Sequence, residues 1–180
     1  IVLCNEEAYD RVGARDLSAA SNMSMDLIKE NYALASTRYK PVYDNIKIVD
    51  STGKDMNWVE AVVKNYKPDI VVLDMGDKFA KTAGFARTDE ALKANAVHAR
   101  MIAKQHECAI FYMSQLSADA EGKVLLNQSM MEGSRTGKAA EADLMILIAK
   151  NPPVDGQEEE DTQRHLNVVK NKLTGWHGVV

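Results

Sequence analysis

The stretch Lys67-Pro68-Asp69-Ile70-Val71-Val72-Leu73-Asp74 decides the fold class. Proline ends whatever precedes it, an apolar run from Ile70 to Leu73 follows, and an aspartate closes the run. The run is too short for a helix and shows no polar alternation. It therefore reads as a strand covered on both faces, the kind found in parallel sheets. Upstream, Asp55 to Tyr66 carries Val59, Val62 and Val63 on one helical face and stops before Pro68. Downstream, Thr88 is placed to cap a helix with Asp89 and Glu90 in its first turn, where the helix dipole favours anions. That helix continues through Leu92, Ala96, Ala99, Ile102 and Ala103 to a second apolar run, Ala109–Met113. Helix, strand, helix, strand in this order predicts α/β architecture: a mostly parallel sheet flanked by helices.

The same pattern extends to both ends. Further strands are expected at Ile1–Cys4, Ile46–Val49, Leu144–Ala149 and Leu166–Lys170, with one more beginning at Gly178. Helices are expected from Tyr9 to about Ala20 and from Met25 to about Ala35, where apolar residues recur at three- and four-residue spacing. After Leu144 the pattern becomes strand, polar loop, strand, which predicts a C-terminal β-hairpin. Its tip would hold the acidic run Glu158-Glu159-Glu160-Asp161, read as a solvated turn. No repeat or second domain interrupts residues 1–180. With no initiator methionine and a strand at the first residue, the chain reads as a piece of a longer polypeptide.

Bulk composition bounds the partners. A net charge of -4 supplies no global basic field for nucleic acid, yet a ring can line a channel with a few basic residues while its exterior stays acidic. Cys4 and Cys108 have no CxxC partner and read as reduced, buried thiols. His106 and Cys108 lack the neighbouring ligands of a metal site. No apolar stretch reaches spanning length and no signal segment opens the chain, so no membrane association and a cytoplasmic location are expected.

Four motifs carry chemistry. Asp74 sits at the carboxyl end of a buried strand, the edge where open α/β sheets gather ligands. A carboxylate there can hold the water shell of a nucleotide-bound Mg²⁺, or it can serve a turn. Asn5-Glu6-Glu7 follows the first strand; it can supply a general base for water, or simply acids at a helix start. Gln115 follows the strand Ala109–Met113, where an amide can report a terminal phosphate or cap a turn. Lys170 and Lys172 project from one face of a strand. Two adjacent ammonium groups repel unless an anion lies between them, although an exposed edge-strand pair remains the alternative.

Taken in order, these motifs resemble the RecA-like motor of DnaB-like replicative helicases, and among them the bacteriophage primase-helicases. The resemblance runs from Leu3 to Gly178 and is most specific in Ser114–Ser117, Gly133–Asp143 with Leu144–Ala149, and Lys170–Gly175. It implies a RecA-like P-loop NTPase core and an NTP-dependent DNA helicase that unwinds 5′ to 3′ as a hexameric ring, with nucleotide sites between subunits. In this register Glu6, rather than Glu7, matches the catalytic glutamate. Asp74 matches the aspartate that supports Mg²⁺ through water, and Gln115 the γ-phosphate sensor. Lys170 and Lys172 match the pair reaching the neighbouring subunit's nucleotide. A loop from about Ser117 to Lys138, Gly- and Ser-rich and potentially mobile, would bind single-stranded DNA through Lys123, Arg135 and Lys138. ATP or dTTP would be the fuel, and a replisome polymerase or primase a partner; a phage origin would place the protein in the host cytoplasm.

Two departures qualify the resemblance. The second position of the lysine pair is usually Arg, and lysine lacks the bidentate guanidinium fork. The phosphate-binding loop G-x-x-x-x-G-K-[ST] occurs nowhere in the chain. Gly133-Ser134-Arg135-Thr136-Gly137-Lys138-Ala139 is one residue short between its glycines and lacks the final hydroxyl residue, and Ser51-Thr52-Gly53-Lys54-Asp55 lacks the first glycine and the hydroxyl. The P-loop strand is thus expected to be missing from the sheet, leaving a piece that is not catalytically competent alone and prone to self-association. A recombinase-type ATPase and a non-catalytic DNA-binding or assembly module remain the competing readings.

Overall fold

A computed structural model describes residues 1–80, 87–133, 136–152 and 162–180. The acidic run Glu158–Asp161 and Arg135 lie outside the described residues. The chain divides into two compact units: Ile1–Ala80 with Met101–Met113, and Lys81–Arg100 with Ser114–Val180. Each is described by itself.

The first unit is a four-stranded parallel sheet with its helices. Its strands are β1 (Val2–Cys4), β2 (Ile48–Asp50), β3 (Ile70–Asp74) and β4 (Ala109–Tyr112), in the order β2-β1-β3-β4. As the apolar run predicts, Val71 and Leu73 of β3 are fully buried, as is Leu3 of β1. The helices are α1 (Tyr9–Ser21), α2 (Met25–Glu30), α3 (Tyr32–Tyr43) and α4 (Met56–Tyr66). In α4, Asp55 caps the first turn by accepting from the Trp58 N–H at 2.9 Å, and Met56, Val59 and Val63 are buried. Lys67 then takes a left-handed conformation and closes the helix ahead of Pro68.

The expected single helix from Met25 to about Ala35 is instead two. Asn31 leaves helical geometry, with φ -132° and ψ 48°, and serves as end of α2 and start of α3. Asparagine suits such a break because its side chain competes for backbone groups. The break lets Ile28 from α2 and Ala35 from α3 both turn inward, onto Met23 and Leu17. The second helix runs on to Tyr43, with Pro41 in its last turn.

The helix α5 (Thr88–Gln105) crosses the boundary between the units. Its first intrahelical bond runs from the Ala91 N–H to the Arg87 carbonyl, so the cap position is Arg87 and not Thr88. Arg87 also holds Asp89 through two guanidinium bonds, of 3.1 and 2.9 Å.

In the second unit, α6 (Gly137–Glu141) precedes a three-stranded antiparallel sheet of β5 (Leu144–Lys150), β6 (Arg164–Asn171) and β7 (Gly178–Val179), in that order. The short α6 falls where a loop is expected from the sequence. Met145, Leu147 and Ala149 of β5 pack with Leu126, Met131 and Ala139. The alternate residues Leu144, Ile146 and Ile148 are exposed, so β5 buries only one face although nearly all its residues are apolar.

One close approach fixes the turn after β3. The Gly76 N–H donates to the Met113 carbonyl at 2.9 Å, which draws the backbone against the Tyr112 ring. A Cβ on Gly76 would lie 2.5 Å from that ring. Gly76→Ala is therefore expected to destabilise the fold by about 1–3 kcal/mol in denaturant melts. Adding Tyr112→Ala to it should cost less than the sum of the single effects, because the clash and the ring are removed together.

Candidate nucleotide site at the carboxyl edge of the sheet

Parallel pairing aligns the ends of three strands. Cys4 stands opposite Asp50 on one side and Asp74 on the other. The rungs continue past the strands: the Ser51 N–H donates to the Cys4 carbonyl and the Asn5 N–H to the Asp74 carbonyl, both at 2.8 Å. The Met75 N–H in turn donates to Oδ1 of Asn5 at 2.8 Å. Glu6 and Asp74 thus leave the sheet on adjacent strands of the same edge.

Each carboxylate after β1 has a cationic neighbour. Lys78, in the single turn Gly76–Lys78, reaches Glu6 at 2.8 Å. Arg15 of α1 reaches Glu7 at 2.5 Å. The hydrogen bond and charge of Glu7, with a smaller contribution from Asp74, hold the Arg15 guanidinium above its ordinary pKa. Beneath this edge, burial and then the charges of Asp74 and Asp50 push the Cys4 thiol up, so it stays protonated and inert. Burial and then Asp77, which accepts from the hydroxyl at 3.2 Å, likewise raise Tyr112. Among the described residues no three His, Cys, Asp or Glu side chains form a metal cage. Mg²⁺ does not require one: it keeps several waters and takes one or two carboxylates together with phosphate oxygens. Asp74, at the mouth of the sheet, fits that limited role.

In the second unit Gln115 is exposed at the start of the 117–138 loop. Its carbonyl accepts from the Glu132 N–H at 3.1 Å, Leu116 bridges Met131, and the Ser117 N–H donates to the Met130 carbonyl at 2.8 Å. The loop therefore has a closed, antiparallel base. Farther along, Asn167 of β6, only 2% exposed, grips the loop backbone. Its Oδ1 accepts from the Leu126 N–H and its Nδ2 donates to the Val124 carbonyl, both at 3.0 Å. The segment around Leu126 is thus anchored, in contrast to the mobility that Gly and Ser content suggests. Lys123 is exposed and lines an open cleft of about 380 Å³ with Ser117, Ile148 and Lys150. Lys138 points the other way: it is 5% exposed and donates to Oγ of Ser114 at 2.7 Å.

Lys170 and Lys172 do converge. Both ammonium groups donate to the Ala140 carbonyl at 3.3 Å, and Lys170 also donates to the Ala139 carbonyl. The free carbonyls at the end of α6 supply the negative potential that relieves the lysine repulsion. Asp143 adds to it, 3.5 Å from Lys172 and 3.0 Å from Arg100. Burial and then the neighbouring Lys172 lower the Lys170 pKa.

No family profile matches the chain and no curated protein matches it by sequence. Its fold does match solved structures. It superposes on the isolated ATPase domain of another helicase with a TM-score of 0.83 at 17% identity, over 99% of this chain and 69% of that one. It superposes on a DnaB-like replicative helicase, solved to show its interactions with primase, with a TM-score of 0.80 at 17% identity, over 100% of this chain and 47% of that one. The fold is that of a helicase ATPase domain. This RecA-like helicase fold agrees with the α/β architecture and strand order expected from the sequence.

Two residues of this helicase-type fold escape sequence reading. Asn167 sits among apolar neighbours in β6, and a lone polar residue in such a run is its only signal. Arg100 lies on the polar side of α5 with nothing in its spacing to point toward Asp143.

The Arg100–Asp143–Lys172 cluster gives a pH prediction. Partial burial pushes the Asp143 carboxyl up, but Arg100 and Lys172 outweigh it and leave the pKa below 3.8. A carboxyl depressed in the folded state stabilises it above the unfolded pKa and loses that contribution as pH falls through the folded value. Asp143→Asn should lower the melting temperature at neutral pH, and the gap from wild type should close below roughly pH 3. A gap of equal size at both pH values would contradict the assignment.

Proposed function

We propose that this chain is most of the NTP-hydrolysing motor of a replicative DNA helicase, acting within a longer parent polypeptide that supplies the phosphate-binding loop. The observation that supports it best is the pairing of β1 with β3, which sets Glu6 and Asp74 on neighbouring strand ends of a helicase-type fold. In this reading Glu6 takes a proton from the water that attacks the γ-phosphorus as the β–γ bond breaks. Asp74 holds Mg²⁺ through water, and the ion neutralises charge on the phosphates of ATP or dTTP. Gln115 senses the γ-phosphate and passes its state to the anchored 117–138 loop, which lies directly after it in the chain.

The loop binds single-stranded DNA through backbone groups and lysine charge. Lys123 is exposed for that task. Lys138 would have to leave Ser114 to share it, and Arg135 is assigned by resemblance alone. Lys170 and Lys172 serve the nucleotide of a neighbouring subunit in a hexameric ring, exchanging the α6 carbonyls for phosphate oxygens. The 5′ to 3′ polarity and a polymerase or primase partner follow the same resemblance, as does a location in the cytoplasm. Among the described residues no helix is long and apolar enough to cross a membrane.

The absence of a phosphate-binding loop from these 180 residues favours one second reading, a DNA-binding or assembly module that does not hydrolyse nucleotide. A recombinase-type ATPase shares the fold and differs in exchanging strands without unwinding them.

Hydrolysis of ATP and dTTP by the parent polypeptide, with and without single-stranded DNA, separates these readings. DNA should stimulate the wild type, Asp74→Asn should lower kcat by at least about a hundredfold, and Gln115→Ala should retain basal turnover but lose the stimulation. DNA binding with no hydrolysis in the wild type would establish the module instead.

A further inference from the structure

We infer that Asn5 is a positioning residue that clamps the Glu6-bearing turn to the end of the Asp74 strand, an inference that rests on the hydrolytic reading above. Beyond Cys4 the chain bends away from the sheet, so β1 offers Met75 no further backbone carbonyl. The Asn5 side chain takes that place. Its backbone N–H donates to the Asp74 carbonyl while its Oδ1 accepts from the Met75 N–H, each at 2.8 Å. One residue therefore makes a two-way link across the chain, directly beside Glu6 on one strand and Asp74 on the other.

The far side of the same turn is held as well, because the Gly76 N–H donates to the Met113 carbonyl at 2.9 Å. Asp74, Met75 and Gly76 are thus fixed between β1 and β4, and Asn5 is the side chain that closes the β1 side. The other end of its amide shows what that side chain contributes. Nδ2 is buried and has no hydrogen-bond partner among the described residues. An apolar side chain of similar volume would avoid that desolvation, so the acceptor oxygen is the group the position requires. Lys78 tethers the Glu6 carboxylate itself at 2.8 Å, but a flexible surface ion pair cannot set backbone geometry. The Asn5 clamp can.

The test uses Asn5→Leu, which removes the acceptor at similar volume, and Asn5→Asp, which retains an acceptor oxygen, both in the parent polypeptide. Asn5→Ala replaces the leucine variant should that one misfold. Two quantities are measured: kcat and KM for Mg²⁺–nucleotide, and the hydrogen-exchange rate of the Met75 amide. Asn5→Leu should lower kcat on the order of a hundredfold with little change in KM, as expected when catalytic groups shift by about an ångström. Its Met75 amide should exchange faster, while Asn5→Asp keeps the protection and a higher kcat than Asn5→Leu. A wild-type kcat in Asn5→Leu, or an unchanged Met75 exchange rate, would overturn the inference. If the wild type hydrolyses no nucleotide, the hydrolytic reading fails by itself and the exchange measurement alone decides whether the clamp exists.

Discussion

The structure depends on the parallel pairing of β1 with β3. Leu3 and Leu73 stand opposite each other in that ladder and both are fully buried. A slip by one residue would turn each strand's buried set to the opposite face, so apolar burial fixes the register. The register in turn dictates that Cys4 meets Asp74 and that the chain leaves the sheet at Asn5. Two acids far apart in sequence therefore emerge at one edge. Hydrophobic packing supplies the energy, and backbone hydrogen bonds supply the address.

That edge is polar in an economical way. The carboxylates after β1 are matched with Lys78 and Arg15, both on short connections or helices beside the sheet. These exposed pairs contribute little to stability. Their effect is to keep adjacent negative charges compatible while the edge stays open to solvent. The lysine pair of β6 follows the same logic with the sign reversed, since Lys170 and Lys172 find carbonyls of α6 and the Asp143 carboxylate. Like charges are gathered only where the fold also provides an opposite potential.

Much of this was legible in the sequence. Ile70–Asp74 announced a doubly covered strand, Asp55 and Pro68 bracketed α4, and the shift at Leu144 announced the C-terminal hairpin. The misses share a cause, which is that tertiary contacts override local preference. The Met25–Ala35 periodicity is genuine, yet Asn31 breaks the helix so that Ile28 and Ala35 can share one small core. Lys138 looked like a surface cation in a polar loop, and only the fold brings Ser114 within 2.7 Å of it. Asn167 anchors a loop more than forty residues upstream, a pairing no spacing rule can expose. The site residues themselves were legible only as types at strand ends; which of them share an edge came from the register.

The central claim is that the carboxyl edge of the four-stranded sheet binds nucleotide. An experimental structure of the parent polypeptide with Mg²⁺, a non-hydrolysable nucleotide and single-stranded DNA tests it most directly. The account predicts the terminal phosphate beside Glu6 and Asp74, with Lys170 and Lys172 released from the α6 carbonyls toward a neighbouring subunit's nucleotide. Nucleotide bound away from that edge, with Glu6 still paired to Lys78 and both lysines still on α6, would contradict it.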